Sequence, residues 1–142
     1  MIWKHEVTIE MLNTFNKNMS KYLEIEFTEI GSDYLIAKMP VNEKTMQPFG
    51  LLHGGASVVL AETLGSVASN LCIEDMTSEA VVGIEINANH LNGARNGFVY
   101  GKVSPLKLGR KIHVWQIDIH DNNNKPICSS RLTTTVIKRK TS

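Results

Sequence analysis

Glu62 interrupts a long stretch of sequence that is otherwise free of charge. It is the only ionisable side chain between Gly54 and Leu71. A carboxylate on an apolar helix is costly to bury unless it is hydrogen-bonded, paired or open to a cavity. Glu62 is therefore a candidate catalytic base or nucleophile. The alternative is a glutamate that reaches solvent at a gap between subunits.

The residues before this stretch could bind a developing negative charge. Gly54 and Gly55 are predicted to begin a helix, where free backbone N–H groups and the helix dipole favour anions. Because glycine also lets a carbonyl group approach the backbone closely, both are candidate oxyanion or substrate-binding residues. Gln47 could donate its amide to the same oxygen. His53 could orient the site or hold a water; the alternative is a helix-start histidine bonded to a nearby carbonyl.

The spacing between Gly54 and Glu62 predicts that the site is shared between subunits. Eight residues of helix span roughly 12 Å, too far for Glu62 to reach a carbonyl held at Gly54 of its own chain. Antiparallel helices in a dimer would place Glu62 of one chain opposite Gly54 of the other. Ser66 lies one turn after Glu62 on the same side. It could hold the carboxylate or a water, or its hydroxyl could bond back to the carbonyl of Glu62.

Hydrophobic periodicity predicts the elements that position these residues. We expect helices at 8–16 and 54–72, and strands at 22–30, 34–41, 80–90, 97–105, 111–120 and 125–138. The second helix is apolar on nearly every side, which is typical of a buried helix. One buried helix and about six antiparallel strands indicate an α+β fold with the sheet curled around the helix. No linker divides residues 1–142, so we predict a single domain that oligomerises to cover its sheet.

Composition excludes several classes of function. The formal net charge is +1, so no global basic field attracts nucleic acid. The most apolar stretch, from Gly54 to Cys72, contains Glu62 and three glycines, which argues against a membrane span. The N-terminus shows no secretory signal, and Cys72 and Cys128 lack metal-ligand spacing. We expect a cytoplasmic protein with reduced cysteines, no metal and no cofactor.

Several stretches taken together resemble a known family. Residues 39–41 and 47–68, which include Gln47-Pro-Phe-Gly-Leu-Leu-His-Gly-Gly and Glu62, resemble the hotdog-fold thioesterases of the PaaI-like group. The similarity continues at 81–90, 105–110, 114–117 and 128–134. Within that group the chain is most similar to the bacterial 1,4-dihydroxy-2-naphthoyl-CoA hydrolases of menaquinone synthesis and to the proofreading thioesterases of enterobactin synthesis.

The resemblance implies a hotdog fold and hydrolysis of an acyl-CoA, with an aromatic acyl group such as dihydroxynaphthoyl or hydroxybenzoyl. A medium-chain acyl-CoA or an acyl carrier protein is the alternative substrate. It also implies a metal-free homotetramer made of two dimers. Two rival hypotheses are a hotdog hydratase, whose typical histidine loops are missing here, and a non-catalytic acyl-CoA-binding module, which would not need Glu62.

The resemblance also implies roles for individual residues. Glu62 would be the catalytic carboxylate and come from the opposite subunit. The other catalytic residues implied are Gln47, His53 and Gly54, with Ser66 beside the substrate. His90 would line the entrance near the CoA arm. Asn92 departs from the pattern, because close relatives often carry Arg there.

A basic turn is a candidate site for the phosphates of CoA. Lys107, Arg110 and Lys111 surround Leu108-Gly109, and such side chains bind phosphate groups. The alternative is an ordinary solvated basic turn.

Overall fold

Six antiparallel strands form one sheet, and the long helix α3 lies against it in this computed structural model, which describes residues 1–140. The sheet order is β1-β2-β4-β5-β6-β3, and α3 contacts every strand from β2 to β6. This arrangement confirms the predicted hotdog fold. The elements are α1 (Ile9–Phe15), α2 (Met19–Tyr22), β1 (Glu26–Ile30), β2 (Leu35–Pro40), α3 (Gly54–Leu71), β3 (Glu79–His90), β4 (Phe98–Leu108), β5 (Ile112–Asp121) and β6 (Pro126–Lys138).

The predicted strand at 22–30 is too long, because its first half is not extended. The chain forms the short helix α2 at Met19–Tyr22 and enters β1 only at Glu26. Asn18 and Glu24 flank this helix with φ of 58° and 59°, a conformation that non-glycine residues rarely adopt. Leu23 and Ile25 therefore pack against the core although neither residue belongs to a strand.

The helix α3 is buried on one side only, so the prediction of burial on every side is wrong. Its buried residues are Ala56, Ser57, Leu60, Ala61, Leu64, Gly65, Ala68, Ser69 and Leu71. The remaining arc, which we call the open face of α3, is not fully covered by the strands of residues 1–140 and borders β3 at Gly83. It consists of Val59, Glu62, Thr63, Ser66 and Asn70, all of which line one cavity of about 840 Å³.

A buried polar cluster fixes the rotation of α3 against the sheet. Ser69 Oγ accepts a hydrogen bond from Trp115 Nε1 at 2.6 Å and lies 3.0 Å from His113 Nδ1 and 2.7 Å from Thr134 Oγ1. All four residues are buried. Ser69 follows Glu62 by about two turns, so this anchor determines which way the open face points. Burial also holds the pKa of His113 below its usual value, because it disfavours the imidazolium.

The strand β3 forms one edge of the sheet. Among the described residues it pairs only with β6, and Val82 and Ile84 on it are 39% and 56% exposed. A twelve-residue edge strand with exposed apolar side chains is a template for pairing with another chain. Within residues 1–140, no helix is both long and apolar enough to cross a membrane.

Candidate active site

His53 caps the start of α3 through its ring. Its Nδ1 accepts a hydrogen bond from the backbone N–H of Gly55 at 2.8 Å, and its own backbone N–H donates to the carbonyl of Thr45. An imidazole nitrogen that accepts a hydrogen bond carries no proton, so the proton of the neutral ring lies on Nε2. The ring therefore presents an Nε2–H donor at the helix start. The alternative interpretation, a ring bonded to a nearby carbonyl, is wrong.

The two glycines at the start of α3 differ in the availability of their N–H groups. The N–H of Gly55 is occupied by the His53 ring, whereas the N–H of Gly54 has no acceptor among residues 1–140. The expectation that both N–H groups are free is therefore wrong for Gly55. Only Gly54 offers an unpaired donor at the positive end of the helix dipole.

Gln47 also presents an unpaired donor. It begins a turn in which the N–H of Gly50 bonds to the Gln47 carbonyl at 3.0 Å, and its side-chain Oε1 accepts from the N–H of Phe49. Because a backbone N–H can only donate, this bond assigns the side-chain oxygen. The Nε2 amide of Gln47 then has no acceptor in the described part of the chain and is free to donate to a ligand.

The donors of Gln47 and Gly54 share one cavity. This helix-start cavity of about 420 Å³ is lined by Gln47, Gly54, Ser57, His90 and Asn92 together with apolar residues. The His90 ring lies over Gly54, and a β-carbon at Gly54 would stand 2.7 Å from His90 Nε2. A larger residue at position 54 would therefore have to displace the His90 ring. Asn92 is held by a bond from its Nδ2 to the carbonyl of Pro126 at 2.7 Å.

The carboxylate of Glu62 lies in the other cavity, which we call the Glu62 cavity. The carboxylate forms no hydrogen bond or salt bridge with any residue in 1–140. It lies instead against β3, where a β-carbon at Gly83 would stand 2.8 Å from Glu62 Oε1. The side chain is half-buried, so the carboxylate faces the cavity with its acceptor sites unoccupied.

Ser66 lies beside Glu62, as the helical spacing predicts, and lines the same cavity. Its hydroxyl makes no hydrogen bond within residues 1–140, so the alternative of a bond back to the Glu62 carbonyl is wrong. The neighbouring Thr63 hydroxyl is 3.2 Å from that of Ser20 in α2. Ser66 is thus the hydroxyl of the open face that is free to meet a ligand.

A single chain does not bring Glu62 to the donors of Gln47 and Gly54. The helix-start cavity and the Glu62 cavity share no lining residue, and eight residues of helix separate Gly54 from Glu62 by roughly 12 Å. Lys107 and Arg110 are exposed on the β4–β5 hairpin and line neither cavity. One chain thus holds the donors and the carboxylate in two separate cavities, and the basic turn lies apart from both.

The cysteines do not offer an alternative nucleophile. Burial raises the pKa of the Cys72 thiol to about 11, and it raises the pKa of the buried Cys128 as well. The reactive form of cysteine is the thiolate, which is scarce at neutral pH for such thiols. No group of three His, Cys, Asp or Glu side chains in the described range is arranged to hold a metal ion.

Comparisons with known proteins identify the family. A family model described as the thioesterase superfamily matches residues 49–128. The 1,4-dihydroxy-2-naphthoyl-CoA hydrolase of Escherichia coli is 55% identical over 96% of this chain and 100% of its own length. The proofreading thioesterase EntH of Cronobacter turicensis is 49% identical over 96% and 99%. The crystal structure of a Haemophilus influenzae thioesterase, 51% identical, superposes with a TM-score of 0.93 and covers 97% of this chain and 96% of that one.

The chain belongs to the thioesterase superfamily. It is a thioester hydrolase with a hotdog fold, which confirms the predicted family, fold and enzyme class. Of the two cavities, one contains the unpaired N–H donors of Gln47 and Gly54 and the other contains the carboxylate of Glu62. The rival hypotheses of a hydratase and a non-catalytic binding module do not fit this family.

The sequence did not reveal two features of the candidate site. Gly83 leaves room for the Glu62 carboxylate, and a glycine inside a strand is the signal of such a close approach. The apolar residues Met11, Phe15 and Met19 line the Glu62 cavity. Met11 and Phe15 share one face of the helix with Leu12, and nothing in their spacing distinguishes a face that lines a cavity from one that lies in the core.

Proposed function

We propose that this thioesterase hydrolyses an aromatic acyl-CoA, of the 1,4-dihydroxy-2-naphthoyl-CoA or hydroxybenzoyl-CoA type, to the free acid and CoA in the cytoplasm. The name of the Escherichia coli relative supports the dihydroxynaphthoyl group. The observation that carries the proposal is an unpaired carboxylate, Glu62, in a mainly apolar cavity of about 840 Å³. That volume lies in the range of small-molecule sites and accommodates a bicyclic acyl group.

The catalytic roles follow from the donors and acceptors that remain unpaired. Gln47 Nε2 and the Gly54 N–H donate to the thioester carbonyl oxygen and stabilise its negative charge as the carbon becomes tetrahedral. His53 directly precedes Gly54 in the chain, and its Nε2–H is proposed to assist this donor pair, although His53 does not itself line the helix-start cavity. Gly55 supports the same geometry indirectly, because its N–H holds the His53 ring in place. These groups withdraw electrons from the carbonyl carbon and prepare it for attack.

Glu62 supplies the attack in one of two ways. As a nucleophile it forms a mixed anhydride, which water then hydrolyses; as a base it takes a proton from the water that attacks the carbonyl carbon. In both routes the C–S bond breaks and CoA leaves as a thiolate that takes up a proton. Ser66 positions the carboxylate or the water. A single turnover in ¹⁸O-water tests the anhydride route, because label reaches the Glu62 carboxylate only when water attacks an anhydride at the glutamyl carbon.

The active protein is proposed to be a homodimer with shared sites, assembled into a homotetramer. The open edge of β3 supports this assembly. A twofold axis that crosses β3 midway between Gly83 and His90 would pair two β3 strands antiparallel. Because Glu62 lies against Gly83 and Gly54 lies against His90, the same axis brings Glu62 of one copy to Gly54 of the other.

His90 and the basic turn are proposed to bind the CoA portion. His90 lies over Gly54 and lines the helix-start cavity, through which the pantetheine arm is proposed to enter. Lys107 and Arg110 are exposed and form no salt bridge within residues 1–140, so they are available for the phosphates. Replacing both by Gln should raise KM for benzoyl-CoA, and leave KM for the N-acetylcysteamine thioester of benzoate, which lacks phosphates, unchanged. An equal rise for both thioesters would contradict this role.

The function is tested with a panel of acyl thioesters and a paired substitution. The wild-type protein should release CoA from dihydroxynaphthoyl-CoA or hydroxybenzoyl-CoA with a higher kcat/KM than from octanoyl-CoA or an aromatic acyl carrier protein. Glu62→Gln should lower kcat at least about a hundredfold, whereas Glu43→Gln, at an exposed glutamate, should not. Preference for the carrier protein would favour a proofreading role, in keeping with the name of the Cronobacter relative. Full activity of Glu62→Gln would overturn the mechanism.

A further inference from the structure

The Glu62 cavity has an apolar wall that the catalytic groups do not require. Beyond the open face of α3, the residues that line the cavity include Met11, Leu12 and Phe15 of α1 and Met19 of α2. Charged and polar side chains, among them His5, Glu6, Lys17 and Arg139, line other parts of it. Leu12 is buried, but Met11, Phe15 and Met19 are 42%, 73% and 64% exposed. A contiguous patch of exposed apolar side chains often marks a binding surface.

We propose that Met11, Phe15 and Met19, which we call the N-terminal wall, bind the acyl group and determine which acyl groups react. The inference rests on the proposed function, because the occupant is identified through Glu62. The Glu62 carboxylate opens into this same cavity, so an acyl group whose carbonyl carbon meets Glu62 must extend into it. The wall and the carboxylate then come from the same subunit, and the carbonyl donors come from the other.

The dimensions and chemistry of the cavity define the acyl group. A volume of about 840 Å³ would be left mostly empty by an acetyl or propionyl group, whereas an aromatic or medium-chain group fills it. Methionine and phenylalanine surfaces are apolar and adaptable, and they favour flat or flexible apolar ligands. The N-terminal wall therefore selects for bulky apolar acyl groups and against short ones.

The wall is held in place by polar contacts and not by its own helices. The side chain of Asn13 forms two bonds with the backbone of Phe27 in β1, at 3.0 and 2.8 Å, and Asn16 Nδ2 donates to the Ile25 carbonyl at 2.5 Å. Ser20 meets Thr63 of α3 at 3.2 Å. Helices of seven and four residues are not stable alone, so these contacts fix the wall at a defined distance from Glu62.

The test compares two substrates in variants of the full-length protein. Phe15→Ala should lower kcat/KM for benzoyl-CoA roughly ten- to a hundredfold, mainly through KM, because a large apolar contact is lost. The same variant should leave kcat/KM for propionyl-CoA within about twofold of wild type, since so short a group does not reach the wall. Phe15→Leu should keep most of the benzoyl-CoA activity. Tyr22→Ala is the matched control, because Tyr22 is an aromatic residue of α2 that is 67% exposed and does not line the cavity.

Three outcomes would overturn the inference. Equal losses for benzoyl-CoA and propionyl-CoA would mean that Phe15 supports the fold and not the acyl group. Unchanged kinetics for both would mean that the acyl group lies elsewhere. A change of assembly mass in Phe15→Ala, measured by light scattering, would mean that a second copy of the chain covers the wall. In all three cases wild-type hydrolysis of benzoyl-CoA would still stand, whereas a wild-type protein that hydrolyses no thioester would overturn the proposed function as well.

Discussion

The carboxylate of Glu62 lies so close to the backbone of Gly83 that a β-carbon at position 83 would stand 2.8 Å from Glu62 Oε1. The pairing of β3 with β6 shifts register between Gly83 and Glu85, and irregularities of this kind often occur next to active sites. The strand thus leaves room for the carboxylate at the point where it faces the cavity.

Gly83→Ala should therefore impair catalysis without unfolding the protein. The added methyl group displaces the carboxylate by a fraction of an ångström to about one ångström, and misplacement on that scale lowers kcat by about ten- to a hundredfold. KM should change little, because the substrate-binding groups are untouched. The checks are steady-state kinetics and a thermal unfolding curve. Wild-type kcat in Gly83→Ala would show that the position of the carboxylate at Gly83 is irrelevant to the reaction.

Asn13→Ala should lower stability through a buried backbone group. Phe27 is 1% exposed, and its N–H donates to Asn13 Oδ1 at 2.8 Å. Removing the acceptor leaves that N–H unpaired at a cost of about 1–3 kcal/mol. Asn18→Ala is an unsuitable control because of its positive φ, so Thr14→Ala, at an exposed position of α1, serves instead. Urea unfolding should show a lower midpoint for Asn13→Ala only; equal midpoints would contradict the anchoring role.

His113 should make stability depend on pH in a defined direction. Burial lowers its pKa from the usual 6.5, so the folded protein favours the neutral ring. The contribution of the neutral His113 ring to the free energy of unfolding is fully present above pH 6.5. It is lost as the pH falls below that value. Between pH 7 and pH 5 the Tm of wild type should fall more than that of His113→Gln.

His120→Gln, at a histidine on the same strand, is the control for this pH effect and should follow wild type. Because Ser69 also bonds to Trp115 and Thr134, we expect His113→Gln to fold with reduced stability. If wild type and His113→Gln lost equal stability between pH 7 and pH 5, His113 would not be the responsible group.

Much of the fold can be predicted from the sequence, because the local hydrophobic pattern of most elements agrees with the way they pack. The alternation of Val114, Gln116 and Asp118 with buried Trp115 and Ile117 predicts β5, which spans Ile112–Asp121. The prediction of a strand is wrong for residues 22–25. The alternating pattern there also suits the end of a short helix and a turn, because the chain adopts a positive φ at Glu24. Nothing in a non-glycine residue indicates such a conformation in advance.

The site was predictable in its residue types but not in its contacts. The type and spacing of Gln47, Gly54 and Glu62 sufficed to propose donors and a carboxylate in separate places. The Gly55 N–H is unavailable to a ligand because it bonds to the His53 ring, and this bond depends on the rotamer of the His53 side chain. The fit of Glu62 against Gly83 depends on sheet packing between distant segments, which periodicity does not encode.

Mixing two inactive variants tests most directly whether the site is shared. Glu62→Gln and Gln47→Ala subunits, each inactive alone, are denatured together, refolded at equal amounts and assayed for CoA release. If each site takes Glu62 from one chain and Gln47 from the other, half of the dimers are mixed and each contains one intact site, so about a quarter of wild-type activity returns. If both residues act within one chain, no site in any dimer is intact. Activity at the level of the separate variants would then contradict a site shared between subunits.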